Sequence, residues 1–255
     1  MTRWIRFEHE GRAQFGTLEG ETIRVHEGDM FVSPRATGAS VPRAAVKLLT
    51  PSLPTKMVAL WNNYRALAEK LGQSVPPEPL WFLKANSSFH PGGQPIRVPV
   101  SYAGKVIYEG ELGIVIGKHS ARISESDAPA HIFGYTCIND VTAVELLKKD
   151  ATFDQWSRSK SFDTFGVFGP VIATGLDPAT LHVRTVLNGQ ERQNYPTADM
   201  FFPPARLVSL ISQDLTLEPG DVIACGTSVG VGSMKPGSDV VVSIEGIGEL
   251  ANRFE

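Results

Sequence analysis

The chain has 255 residues, with 24 Lys plus Arg against 27 Asp plus Glu and a formal charge of −3. There is no cationic surplus to displace phosphate counterions, which excludes a sequence-independent nucleic-acid binder. At 42% hydrophobic and 20% charged residues the make-up is that of a globular protein with a full core, and no apolar run approaches the roughly 20 residues of a membrane helix.

In chain order, the first eight residues carry charges where a signal peptide carries its apolar region, which predicts a cytoplasmic protein. Short strands are expected at 4–8, 12–18 and 22–26, separated by Gly11 and Gly20, and then a Gly- and Pro-containing connection over 28–42. These make residues 1–54 a small β-rich N-terminal domain, with 55–255 as the catalytic domain. In the latter, strands are expected at 57–60, 107–116, 167–173, 181–187, 222–224 and 240–244, and helices at 64–71, 141–151 and 203–213. Three helices among so many strands are too few for a strand–helix–strand repeat, so the fold class is β-rich α+β. Asn188-Gly189 between two strand-like runs predicts a tight hairpin. Cys137 and Cys225 lie far apart in apolar surroundings, with neither a zinc nor a disulfide pattern.

The chemistry concentrates in Tyr108-Glu109-Gly110-Glu111-Leu112, where two glutamates open an apolar strand. Side chains two apart on a strand share a face, so the two carboxylates converge, and burying both calls for a cation or a proton. A divalent ion meets that need, and all-oxygen ligation suits Mg²⁺ or Mn²⁺, with Ca²⁺ also fitting, better than zinc or copper. The alternative is a solvated strand face. Asp140, closing the apolar run 133–138 ahead of an expected helix, reads either as an N-cap or as a third oxygen donor. Spacing alone does not join the three. A glycosidase pair would flank a sugar from separate elements, and phosphate-loop, dinucleotide, zinc-protease and nucleophile-elbow patterns are absent.

Further segments accompany these: Asn63-Tyr64, Pro79-Leu80-Trp81-Phe82-Leu83-Lys84, Asn139-Asp140-Val141-Thr142-Ala143, Lys160-Ser161-Phe162-Asp163 and Cys225-Gly226-Thr227-Ser228. Together they resemble the fumarylacetoacetate hydrolase family over most of residues 55–255. The resemblance implies a mixed β-roll, barrel-like core, a homodimer, and Mg²⁺ or Mn²⁺ held by Glu109, Glu111 and Asp140. It implies that Lys160 faces the substrate, neutralising an enolate or carboxylate oxygen, and that Thr227 contacts substrate through its hydroxyl or backbone. It also implies that Asn63 and Tyr64 line the mouth under a lid and that Lys84 lies near the substrate entry.

The chain departs from the family pattern in the lid. Carbon–carbon hydrolases of the family carry Asn-Tyr-x-x-His-x-x-Glu, and here those last two positions hold Leu67 and Lys70. Glu69 is one residue off, roughly 100° round a helix. Val144 stands where many relatives carry an arginine. His90, in a Gly/Pro loop, reads as a solvent-exposed histidine with a suitable intrinsic pKa for a base, and His119 and His131 receive no role. The expectation is a metal-dependent enzyme for a small 2-oxo acid or β-dicarbonyl substrate: a decarboxylase, isomerase (tautomerase) or hydratase working through an enolate. A C–C bond hydrolase and a non-catalytic binding protein are the alternatives.

Overall fold

Tight turns shape the first fifty residues into a meander: β1 (Thr2–His9), β2 (Arg12–Glu19), β3 (Thr22–Glu27) and β4 (Arg35–Pro42) pair antiparallel in succession. The structure is a computed structural model that describes residues 1–255. Glu10 and Gly11, with φ of 51° and 73°, form the two-residue β1–β2 connection in the left-handed conformation that matches strand twist. β4 replaces the connection expected over 28–42. Only its Val41 is even half-buried, so this strand carries no apolar alternation to read.

The chain continues through β5 (Lys47–Leu48), β6 (Met57–Trp61), α1 (Arg65–Leu71), β7 (Leu80–Lys84) and β8 (Phe89–His90). Next come β9 (Val106–Tyr108), β10 (Gly110–Ile116), β11 (Ile132–Asp140) and β12 (Thr142–Ala143), then the short helices α2 (Val144–Leu147) and α3 (Trp156–Lys160). β13 (Gly166–Thr174), β14 (His182–Leu187), β15 (Gln190–Pro196), α4 (Pro204–Asp214), β16 (Val222–Ala224), β17 (Gly232–Met234), β18 (Ser238–Ile244) and β19 (Gly248–Phe254) complete it. With 44% strand and 17% helix this is the β-rich α+β class, and its sheets form a mixed β-rich core without closing into a barrel.

The strands form one sheet of twelve, one of three and one of four. The large sheet runs β4-β3-β2-β1-β13-β11-β10-β16-β6-β7, with β5 on β1 and β8 on β13. β1 pairs with β13, Trp4 opposite Ile172, so the N-terminal strands extend the same sheet that carries the rest of the molecule. β9, β12 and β17 form the small sheet, and β14, β15, β18 and β19 the third. Asn188 and Gly189, both at positive φ, make the expected hairpin between β14 and β15.

The expected helix over 141–151 is corrected. Thr142 and Ala143 are taken up by pairing with Ile107 and Val106 of β9, leaving four helical residues in α2. Asp150 accepts hydrogen bonds from the backbone and hydroxyl of Thr152, a turn that competes with helix. The expected strand 107–116 is likewise two strands in two sheets, broken at Glu109.

Central strands are buried on both faces, as the fully buried β10 shows. One face contributes Val58, Leu112, Ile114, Cys137 and Ile223 to the main core. The other packs Met57, Ala59, Phe82, Val115, Ile138 and Ala224 into a smaller one. Alternation along β7, β10 and β11 puts Lys84, Glu111 and Asp140 on this second face, and Glu109, in the break just before β10, joins them. Lys84, Glu111 and Asp140 thus lie at the ends of strands whose other buried side chains on this face are mainly apolar.

Candidate metal centre

Strand pairing brings the acids together. Gly110 sits opposite Asn139, and just beyond the ladder the Glu109 N–H donates to Asn139 Oδ1 at 3.0 Å while the Asp140 N–H donates to the Glu109 carbonyl at 2.9 Å. One carboxylate oxygen from each of Glu109, Glu111 and Asp140 lies within 4.8 Å of the others. Asp140 ends β11 and is followed by β12, so the N-cap reading of it is corrected: it points into the cluster and caps nothing.

Two lysines serve the acids. Lys160 Nζ, at the last residue of α3, donates to Glu109 Oε2 and to Asp140 Oδ2, both at 2.7 Å. Lys84 Nζ donates to Asp140 Oδ1. Lys84 is therefore buried inside the cluster, where an entry position was expected, because it shares the inward face of β7 with Phe82. The Phe82 ring lies beneath Lys160, with Nζ 5.5 Å from its centroid. Trp156, the first residue of α3, stacks on Phe82 at 5.5 Å and packs against Trp61 at 5.1 Å, which anchors the helix that carries Lys160.

Burial dominates the electrostatics. It pushes Glu109 above the ordinary carboxylate range, and pushes Glu111 well above, with Asp140 and Glu109 adding repulsion. Asp140 is also raised by burial, yet Lys160 and then Lys84 outweigh that and hold it below the ordinary range. Burial lowers Lys160, but attraction to Asp140, Glu109 and Glu111 prevails, so it stays charged. Lys84 is lowered, by burial and by Lys160 beside it, against the pull of Asp140.

The three acids differ in how well they are satisfied. Glu109 accepts from Lys160 and from the Thr142 hydroxyl at 2.8 Å, and Asp140 from both lysines. Glu111 accepts only from the Gly226 N–H, at 2.9 Å, and its Oε1 is buried without any partner. An orphaned buried carboxylate oxygen facing two further carboxylates is unfavourable for a protein alone. An all-oxygen donor set of this charge fits a hard dication.

Thr227 follows β16 through Gly226, whose φ of 86° turns its N–H onto Glu111. The Thr227 hydroxyl donates to the Gly110 carbonyl at 2.9 Å and accepts from Gln193 Nε2 at 2.9 Å. Asn63 and Tyr64 are not at a mouth. Asn63 is buried as a brace, its amide donating to the Cys225 carbonyl at 2.9 Å and accepting from the Phe202 N–H at 2.9 Å. Tyr64 is fully buried, its ring edge-on to Tyr195 at 4.9 Å and its hydroxyl without a partner. Both follow from the short β6–α1 connection, which lies against the turn after β16.

Leu67 packs into the main core from α1, and Lys70 is exposed. His90 is half-buried in β8 beside Val167, correcting the exposed loop, and burial lowers its pKa. Hydrogen bonds tie His119 to Glu218 and His131 to Ser120, and no histidine bonds the acid cluster. Asn139, Thr142 and Gln193 hold the acids or Thr227 and were not singled out in sequence. Gln193 alternates with Tyr195 on the buried face of β15, the one signal that would have raised it.

Residues 56–255 match the fumarylacetoacetate (FAA) hydrolase C-terminal family, and residues 2–51 match the Rv2993c-like N-terminal family. The chain belongs to the fumarylacetoacetate hydrolase family. Among solved structures, 2-hydroxyhepta-2,4-diene-1,7-dioate isomerase from Mycobacterium marinum is 38% identical with a TM-score of 0.91, covering 100% of this chain and 98% of that one. Oxaloacetate tautomerase YisK of Bacillus subtilis is 34% identical over 93% of this chain and 87% of its own length. Maleylpyruvate hydrolase from Sphingobium sp. SYK-6, solved with manganese(II) and pyruvate, is 27% identical with a TM-score of 0.79, covering 99% and 98%. The chain thus shares a fold and family with an isomerase, a tautomerase and a hydrolase, the last of them solved with manganese(II).

Proposed function

We propose that the protein is a divalent-metal-dependent enzyme that isomerises or decarboxylates a small 2-oxo acid or β-dicarbonyl compound through its enolate. The observation that carries this reading is the under-satisfied acid cluster, with Glu111 Oε1 buried and unpartnered beside two lysines. Glu109, Glu111 and Asp140 would hold Mg²⁺ or Mn²⁺, which when bound supplies Lewis-acid charge to an enolate.

The remaining work falls to side chains of the chain. With all three acids ionised, Lys84 and Lys160 leave one negative charge, and a dication reverses the sign to suit an anionic keto acid. Lys160, held charged, offers a fixed ammonium in a dry site to the oxygen on which charge grows. Lys84 holds Asp140 in place from the opposite side. Phe82, buried and stacked on Trp156, gives the Lys160 ammonium an apolar floor. Where the substrate carries a carboxylate β to the keto group, its loss as carbon dioxide sends the electrons of the breaking C–C bond toward the keto oxygen as the enolate and needs no base at that step. Hydrolysis needs an activated water, and α1 presents Leu67 to the core where the family's hydrolases carry histidine.

Assays of the purified protein with Mn²⁺ or Mg²⁺ on enol-oxaloacetate, followed by ultraviolet absorbance, test this directly. Acceleration of ketonisation or of carbon dioxide release, lost in Glu109→Gln, is expected. No metal-dependent turnover would leave a binding protein, and rapid cleavage of acylpyruvates by the wild type would move the assignment to a C–C hydrolase, as the likeness to maleylpyruvate hydrolase suggests.

A further inference from the structure

We propose that Gln193 is a positioning residue that locks the Thr227 turn to the acid-bearing strand, so that affinity for the 2-oxo acid passes through it. This rests on the function proposed above. Gln193 is buried, and its amide is fully used. Oε1 accepts from the Gly110 N–H at 3.0 Å and the Thr185 hydroxyl at 2.9 Å, while Nε2 donates to Thr227 Oγ1 at 2.9 Å and to the Ser228 carbonyl at 3.2 Å. Gly110 is the residue between Glu109 and Glu111. One side chain therefore grips the strand between the two glutamates with one end and the Thr227 turn with the other.

The grip fixes a proton. With Nε2 donating to Thr227 Oγ1, the threonine's own hydrogen goes to the Gly110 carbonyl, 2.9 Å away, which also accepts from the Tyr195 hydroxyl. The hydroxyl is then committed to the protein. What the turn retains for a ligand is the Thr227 N–H, which has no protein acceptor, and Ser228 Oγ, which is buried without a partner. Behind it, a Cβ on Gly230 would lie 2.0 Å from the Arg192 carbonyl, so the turn rests directly on the backbone next to Gln193. Turn and β15 are in direct contact, and Gln193 ties both to the strand that carries the acids.

A double-mutant cycle reads this out through binding of oxalate, a 2-oxo acid analogue, to the Mn²⁺-loaded protein by calorimetry. Gln193→Leu and Thr227→Val should each weaken oxalate about tenfold, the worth of one neutral hydrogen bond. If Gln193 acts through the turn, the double variant is no weaker than about tenfold as well. Mn²⁺ affinity should change less than about threefold, well short of the effect of losing a ligand. Additive losses of about a hundredfold, or wild-type oxalate affinity in Gln193→Leu, overturn the proposal. Should Gln193→Leu fail to fold, Gln193→Glu at pH 8 keeps the acceptor contacts and removes the donors, and unchanged oxalate affinity there overturns it equally. Wild-type protein that takes up Mn²⁺ but not oxalate would instead sink the proposed function, and this inference with it.

Discussion

Two fully buried carboxylates, Asp221 just before β16 and Glu111 in β10, show what separates a structural acid from a working one. Asp221 Oδ1 accepts from the Thr55 N–H and hydroxyl at 2.8 Å and the Lys56 N–H at 3.0 Å, and Oδ2 from the Glu218 N–H at 2.8 Å and from Lys56 Nζ. Every lone pair has a donor, and the group staples the entry to β6 against β16. Glu111 has one donor, an orphaned oxygen and two acidic neighbours. A protein keeps the first arrangement for stability. The second is unfavourable for the protein alone and is sustained by the rest of the fold.

Variants should divide along that line. The largest effect is expected for Asp221→Ala, which strands buried donors and Lys56 and should cost about 3–5 kcal/mol in denaturant unfolding. Its Mn²⁺ affinity, once folded, should match wild type, and loss of metal binding would erase the distinction. Glu111→Gln should do the reverse, weakening Mn²⁺ by more than roughly 100-fold. Without metal it should unfold at or above the wild-type temperature, since a buried like charge has been removed. A lower melting temperature would mark Glu111 as structural.

Gly110→Ala sharpens the comparison from the backbone. A Cβ there would lie 2.1 Å from Thr185 Oγ1 and 3.2 Å from Gln193 Oε1, so the strand between the two glutamates must shift. A stability loss of about 1–3 kcal/mol is expected, together with weakened metal uptake. Wild-type affinity in this variant would show that the acids tolerate displacement.

The smallest effect concerns pH. The raised pKa of Glu111 means that the folded, metal-free protein holds its proton more tightly than the unfolded chain. Its contribution to stability is therefore present at low pH and is lost as pH rises through the folded value, above the ordinary carboxylate range. Metal-free wild type should lose stability over that window, and Glu111→Gln should not. Mn²⁺ affinity should rise up to about tenfold per pH unit over the same window as the proton is displaced. Calorimetry in buffers of different ionisation enthalpy checks the proton count, and no proton release would contradict it.

Much of this was legible in the sequence because the signals are local. The two-apart glutamates, the Asn188-Gly189 hairpin and the buried strands around β10 and β13 each follow from a period or a turn residue. Asp140 was ambiguous, since its partner lies about thirty residues away and only the β10–β11 register joins them. Lys84 and Lys160 surfaced only through family resemblance, because a lysine on a strand or short helix reads as surface until its acid is placed. β4 and α3 escaped altogether. One is exposed but for a half-buried Val41, and the other is five residues held by Trp156 in an aromatic contact that no periodicity encodes.

Anomalous diffraction from crystals grown with Mn²⁺ tests the central claim most directly. A single strong manganese peak bounded by the carboxylates of Glu109, Glu111 and Asp140 is the predicted result. No peak there, or manganese bound by other residues with these three acids still engaged only by Lys84, Lys160 and Gly226, would contradict the account.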